Sequence, residues 1–169
     1  MNTAHPLIDT LTLNDFVFGL AVTGVDDEIA RRRLPGQTRP SMAWNIGHLL
    51  HGRARMASSI GASGPALDVS RFGREGATDG HDYPAVADLI AAWRETSAAL
   101  VPALSAMTDE QLSQAASFPE LPHGERTLAD GVRFYTWHES YHLGQIGLIR
   151  SALGLTPIAT LASQAAAAA

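Results

Sequence analysis

The chain contains no cysteine. Disulfides, zinc ribbons and a thiolate nucleophile are therefore excluded, and any metal site must be built from His, Asp or Glu. No apolar run approaches the roughly 18 residues that cross a bilayer, so no membrane partner is expected. Residues 1–18 lack the basic start and apolar block of a secretory signal, and nothing in them directs the chain out of the cytoplasm. Positive charge is also scarce. The net charge is −5, and Arg31-Arg32-Arg33 is the one basic run, with Asp26, Asp27 and Glu28 just before it. Proteins that work on phosphate backbones carry a basic balance or stripe. No nucleic-acid partner is expected, and the run reads as the charged, solvated end of a short helix.

What the chain does have is core-forming material. Its 169 residues are 46% apolar, enough for one sizeable core. The expectation is a single domain over 1–160, followed by an alanine-rich tail at 161–169 that extends a helix or frays.

Four segments carry helical periodicity, and none alternates like a strand. The first spans 6–21, with Leu13, Phe16, Val17 and Leu20 at helical spacing and Gly24 ending the pattern. The second follows Pro40, with Ser41 as N-cap, and ends near Ile60. The third starts at Pro84 and ends near Ala106, with Pro102 expected to kink or fray its last turn. Its stripe is Val86, Leu89, Ile90, Trp93, Leu100 and Leu104. The fourth starts at the capping box Thr127-Leu128-Ala129-Asp130 and runs to Leu153, with Gly154 as terminator. These elements make an all-α four-helix bundle. Two connections, 62–83 and 108–126, are long for a compact domain, and such loops are often functional.

The chemistry sits on the fourth helix, in Trp137-His138-Glu139-Ser140-Tyr141-His142-Leu143-Gly144-Gln145. His138 and His142 are one turn apart, about 6 Å along the axis, and two imidazoles so spaced can chelate one ion. Read at helical period, they fall in the middle of a stripe of Leu128, Val132, Tyr135, Ile146, Ile149 and Leu153. Both should point inward, where two imidazoles need several polar partners and one metal ion satisfies both. The second helix offers His48, which can face the pair, and His51, three residues on, as its rival. Three neutral imidazoles would leave a coordination position open, the arrangement of a catalytic metal. His5, His81 and His123 fall in termini or loops and read as solvated surface.

Residues Ser41-Met42-Ala43-Trp44-Asn45-Ile46-Gly47-His48-Leu49 and His138-Glu139-Ser140-Tyr141-His142-Leu143-Gly144-Gln145-Ile146 together resemble the DinB/YfiT-like superfamily of metalloenzymes. The resemblance extends loosely over nearly the whole chain and is specific in these two stretches. It implies a four-helix bundle of up-down-down-up type and a divalent metal held by His48, His138 and His142, with His51 outside the matched position. It also implies a small-molecule substrate, a homodimer, and a transferase or isomerase reaction that uses a low-molecular-weight thiol such as mycothiol or bacillithiol. Sulfoxide synthases of this type have a glutamate where this chain has Gly144, so that chemistry is disfavoured. Imidazole suits zinc first, while nickel, iron and manganese stay open. A non-catalytic metal- or small-molecule-binding bundle and a metal-free dimerisation module are the competing readings.

Around the ligands, Trp44, Trp137 and Tyr141 are expected to line a pocket or simply pack in the core. Asn45 and Gln145, one turn from a ligand, are expected either to orient imidazoles or to lie on the surface. Glu139 follows His138 by one residue, roughly 100° around the helix, and is expected to be exposed. Arg71 and Arg74 are either anchors for a carboxylate-rich thiol or solvated loop residues. Gly144 and Gly147 cost roughly 1 kcal/mol each in mid-helix, which close approach of another helix, or room for a ligand, would offset.

Overall fold

Among the described residues the four expected helical segments form long helices, and three shorter helices accompany them. The computed structural model describes residues 5–34, 40–73, 82–119, 121 and 126–168. Helix α1 is His5–Ala21, α2 Asp27–Arg31, α3 Met42–Ser59, α4 Val86–Ser105, α5 Asp109–Leu112, α6 Leu128–Ala152 and α7 Ile158–Ala168. Among the described residues there is no strand, only an isolated bridge between Ala115 and Thr127. The packing partners are α1, α3, α4 and α6, with α6 lying against both α1 and α3.

The caps are those expected from the sequence. The Ser41 hydroxyl accepts from the Trp44 amide and starts α3. Thr127 and Asp130 form a reciprocal capping box at the start of α6. Gly154 adopts φ 76° and ends it. Helix α4 continues through Pro102 to Ser105. The run Asp26–Arg33 contains the short helix α2, capped by Asp26. The tail expected from 161 is the C-terminal part of α7, which buries no residue.

Both long connections are anchored by a phenylalanine lying on a helix glycine. Phe72, in a 3-10 turn Ser70–Phe72, covers Gly47, where a Cβ would sit 2.4 Å from its ring. Phe118 covers Gly131 in the same way, at 2.0 Å. The 108–126 connection also forms α5, which has its own capping box of Thr108 and Gln111. The glycines singled out in the sequence play smaller parts. A Cβ on Gly144 would meet nothing within 4 Å, and one on Gly147 would meet Ile158 of α7 at 3.3 Å.

The stripe expected on α1 is misplaced. Leu13 and Phe16 are exposed, at 58% and 50%, and the buried face carries Leu11, Asn14 and Phe18. Polar residues occupy that face because they serve a buried arginine. Arg53 of α3 is fully buried and forms a two-pronged pair with Glu139 of α6, at 2.8 and 2.7 Å. Its remaining nitrogen donates to Asp15 of α1 and Ser97 of α4. Its guanidinium lies 3.5 Å over the Trp93 ring. Asn14 donates to Glu139 Oε2 at 3.2 Å, and Trp93 Nε1 donates to Asp15 at 2.9 Å.

Glu139 is thus fully buried, contrary to the exposure expected from its helical offset. The offset was correct, but α6 is covered on more than one side, so turning away from the histidines leads into the α1–α3–α4 interior. Burial pushes the Glu139 carboxyl up, and Arg53 and Asn14 pull it back. Arg53, which burial alone would lower, is held above its ordinary value by Glu139 and Asp15.

Removing one partner of a buried ion pair leaves an uncompensated charge and costs about 3–5 kcal/mol. Glu139→Ala is expected to lower unfolding stability by about that much, read from urea titration. Replacing both partners with apolar residues, Arg53→Met with Glu139→Leu, should recover part of the loss. Equal stability of Glu139→Ala and wild type would show that the network contributes nothing.

Candidate metal centre

Helix α3 supplies His48 and helix α6 supplies His138 and His142. Each offers one ring nitrogen, and the three nitrogens lie within 4.8 Å of one another. His48 Nε2 is 3.0 Å from His138 Nε2. The rings meet edge to face, with centroids 4.4 to 4.9 Å apart. A tetrahedral ion with bonds near 2.0–2.1 Å places its ligand atoms about 3.3 Å apart, so the cluster needs only small shifts to close on one ion.

Two of the three imidazoles are oriented from behind. His48 Nδ1 donates to the Phe72 carbonyl at 2.6 Å, which leaves the Nε2 lone pair for the cluster. Trp44 stacks on the same ring at 4.5 Å. His142 Nδ1 donates to Asn45 Oδ1 at 3.2 Å. The amide of Asn45 is set in that direction because its Nδ2 donates to the Ser41 carbonyl at 2.9 Å. The third imidazole is different. Among the described residues, His138 Nδ1 is buried and has no hydrogen-bond partner. An ion held on its Nε2 would leave Nδ1 as an N–H, so this ring is not oriented from behind as the other two are.

All three side chains favour the neutral, ligating form. Burial lowers His138 to about 3, with His142, His48 and His51 adding to the effect. Burial and His48 lower His142 to about 4, against a hydrogen bond to Gln145. Burial lowers His48, partly offset by its bond to Phe72.

The other expected residues divide. His51 stays outside the group of three and lies beside Gly73. Asn45 is buried and orients His142, and Gln145 contacts His142 from the adjoining turn. Tyr141 is half exposed and meets His142 edge-on at 5.1 Å. Trp137 is 59% exposed and stacks on Tyr141. Arg71 binds the carbonyl and carboxylate of Asp82, at 2.9 and 2.7 Å. Arg74, His81, His123 and the side chain of His5 lie outside the described residues. Phe72 and Gly47 were not signalled as site residues by periodicity, because Phe72 acts through its main chain and Gly47 through its missing side chain.

A cavity of about 650 Å³ opens against His142, with Trp44, Asn45, Tyr141 and Gln145 in its wall. It runs along α6 past Leu148 and Ile149 to Ala152, and Leu34 and Pro40 also line it.

The depressed imidazoles predict a stability profile. An unfolded histidine titrates near 6.5, while folded His138 and His142 titrate at about 3 and about 4. As the pH falls below 6.5, the unfolded chain therefore binds protons that the folded chain refuses. Stability of the metal-free protein should be fully present above pH 6.5 and fall progressively toward pH 4. Subtracting the urea stability of His138→Gln from that of wild type at each pH isolates this contribution. A difference that does not change between pH 7 and pH 4 would contradict it.

Comparison with known proteins agrees with the fold. No curated protein matches the chain in sequence. A crystal structure of a conserved protein from Enterococcus faecalis is similar in fold, with a TM-score of 0.66 and 13% identity. The match covers 90% of this chain and 98% of that one. The family model of the DinB superfamily matches residues 18–146, a span that contains all three histidines. The chain therefore belongs to the DinB superfamily.

Proposed function

We propose that this protein is a metal-dependent enzyme in which His48, His138 and His142 hold one divalent ion. The observation that carries this reading is the convergence of three neutral ring nitrogens within 4.8 Å, two of them aimed inward by bonds to Phe72 and Asn45. A bound ion would supply Lewis acidity and would ease deprotonation of a water or thiol near neutral pH. The chain's own residues set the conditions. Among the described residues no carboxylate joins the three histidines, and Glu139 is committed to Arg53. One coordination position of a four-coordinate ion is thereby left to a small molecule. Zinc is the first choice for such a donor set, with nickel, iron and manganese as alternatives. The reaction class that fits is a thiol-dependent transfer or isomerisation with a low-molecular-weight thiol as co-substrate.

The competing reading is a closed, structural metal site. The cavity against His142 favours catalysis, because a purely structural ion needs no access for a substrate.

Metal analysis of untagged protein tests the site. His48→Ala, His138→Ala and His142→Ala should each lose most of the metal, and His51→Ala should keep it. Gly47→Ala should push Phe72 off α3, free His48 Nδ1, and weaken metal affinity about 10–100-fold, as loss of an outer partner does. Full occupancy in a His138→Ala/His142→Ala double variant would overturn the assignment. Access of thiols is read from cobalt-substituted protein. Millimolar thiol should add a near-ultraviolet sulfur-to-cobalt band, and an unchanged spectrum would favour the structural reading.

A further inference from the structure

The three imidazoles are not held alike. The Phe72 carbonyl holds His48, and Asn45 holds His142. Among the described residues, nothing bonds the buried Nδ1 of His138. The place of that ring is set by how α6 lies on α3, and two successive residues of each helix meet there. Gly52 faces His138 and Tyr135, where a Cβ would come 3.5 Å from His138 Nδ1 and 3.5 Å from the Tyr135 ring. The next residue of α3, Arg53, takes the next residue of α6, Glu139, by both carboxylate oxygens at 2.8 and 2.7 Å.

The glycine contact lets the helices come close but offers the His138 ring no side chain to interlock with. The ion pair does fix the register. A two-pronged pair has one good geometry, and a slip of either helix would strand two buried charges. The pair cannot drift as a unit either. Glu139 also accepts from Asn14 of α1, and Arg53 also donates to Asp15 of α1 and Ser97 of α4. Apolar residues of similar size would stabilise the fold about as well. The ionic solution therefore has a use beyond stability, and its place beside His138 points to what that use is.

We propose that Arg53 and Glu139 are positioning residues for His138. Through the main chain of α6 they supply the constraint that Phe72 and Asn45 supply to the other two imidazoles by hydrogen bonds. The inference rests on the reading of the three histidines as a metal site for its functional meaning, but the placement of the ring is measurable without metal.

The test compares two kinds of core change. Arg53→Met/Glu139→Leu removes both charges together. Leu104→Ala truncates a buried residue of α4, a helix that carries no ligand. Urea titration gives the stability of each. While the native state predominates, lower stability alone leaves metal affinity unchanged. Zinc affinity is read by competition with a chromophoric chelator. The double variant should bind zinc about 10–100-fold more weakly, as when an outer partner of a ligand is lost. Leu104→Ala should bind it as wild type does. Arg53→Lys keeps the charge and loses the fork, and should fall between wild type and the double variant. It decides the matter if the double variant does not fold. The second readout is the nuclear Overhauser contact between the ring protons of His48 and His138 in metal-free protein, whose ring centroids lie 4.9 Å apart. It should persist in Leu104→Ala and weaken or vanish in the double variant.

Wild-type zinc affinity and an intact ring contact in the Arg53 variants would overturn the inference. So would an equal loss of affinity in Leu104→Ala. Wild-type protein that takes up no metal, with a ring contact that depends on Arg53, would sink the metal reading and leave the positioning role standing. Zinc bound equally by wild type and the Arg53 variants would do the reverse.

Discussion

The bidentate pair between Arg53 and Glu139 is the constraint on which the other features depend. It joins α3 to α6, and the remaining bonds of Arg53 reach α1 through Asp15 and α4 through Ser97. One guanidinium therefore touches all three other long helices. A two-pronged pair fixes both rotation and axial register, since a slip of either helix would leave a charge buried without its partner. Glu139 is the residue after His138, and Arg53 is five residues beyond His48. The register that satisfies the ion pair is thus the register that brings His48 opposite His138 and His142. Such pairs add little net stability over an apolar core. Here the specificity they impose is what the site requires.

The helices and caps were legible because each is encoded locally. Ser41, Thr127 with Asp130, and Gly154 act on backbone groups within a few residues of themselves. The stripe on α6 was legible because its neighbours there are apolar. Two other positions were not. Reading α1 by hydrophobicity favoured Leu13 and Phe16, whereas Asn14 is buried and Asp15 partly so to meet Glu139 and Arg53. A polar residue that is buried to satisfy a distant charge looks, in sequence, like a surface residue. Glu139 failed for the same reason. Its correct partner lies 86 residues away, and nothing in the spacing announces it.

Glycines tell a related story. Gly144 and Gly147 stood out because they interrupt the helix that carries the site, yet Gly144 faces open space. Gly47 and Gly131 matter more, because each receives a phenylalanine from a long connection. Phe72 does two things at once. Its ring lies on Gly47 and its carbonyl accepts from His48, the next residue of α3. The 62–83 connection is therefore part of the site, through a main-chain atom that no side-chain pattern could reveal. The three-histidine group itself was readable only as two linked stretches. The spacing of His138 and His142 could be read within α6, but the choice of His48 over His51 depends on how α3 is rotated against α6.

The charges of α6 are separated by face, and that separation makes the site usable. Glu139, between His138 and the next turn, is a potential proton acceptor in the middle of the chemistry. Left unpaired near the cluster, a carboxylate would favour protonated imidazoles and compete for an ion. Glu139 is instead turned roughly 100° from His138 and committed to Arg53, with Asn14 as a further donor. The histidine face then contains only neutral donors, whose depressed pKa values follow from burial without a compensating anion. A third face, with Tyr141 and Leu148, is apolar and open to solvent. A single helix thus separates an ionic lock, a neutral donor set and an apolar entrance by rotation alone.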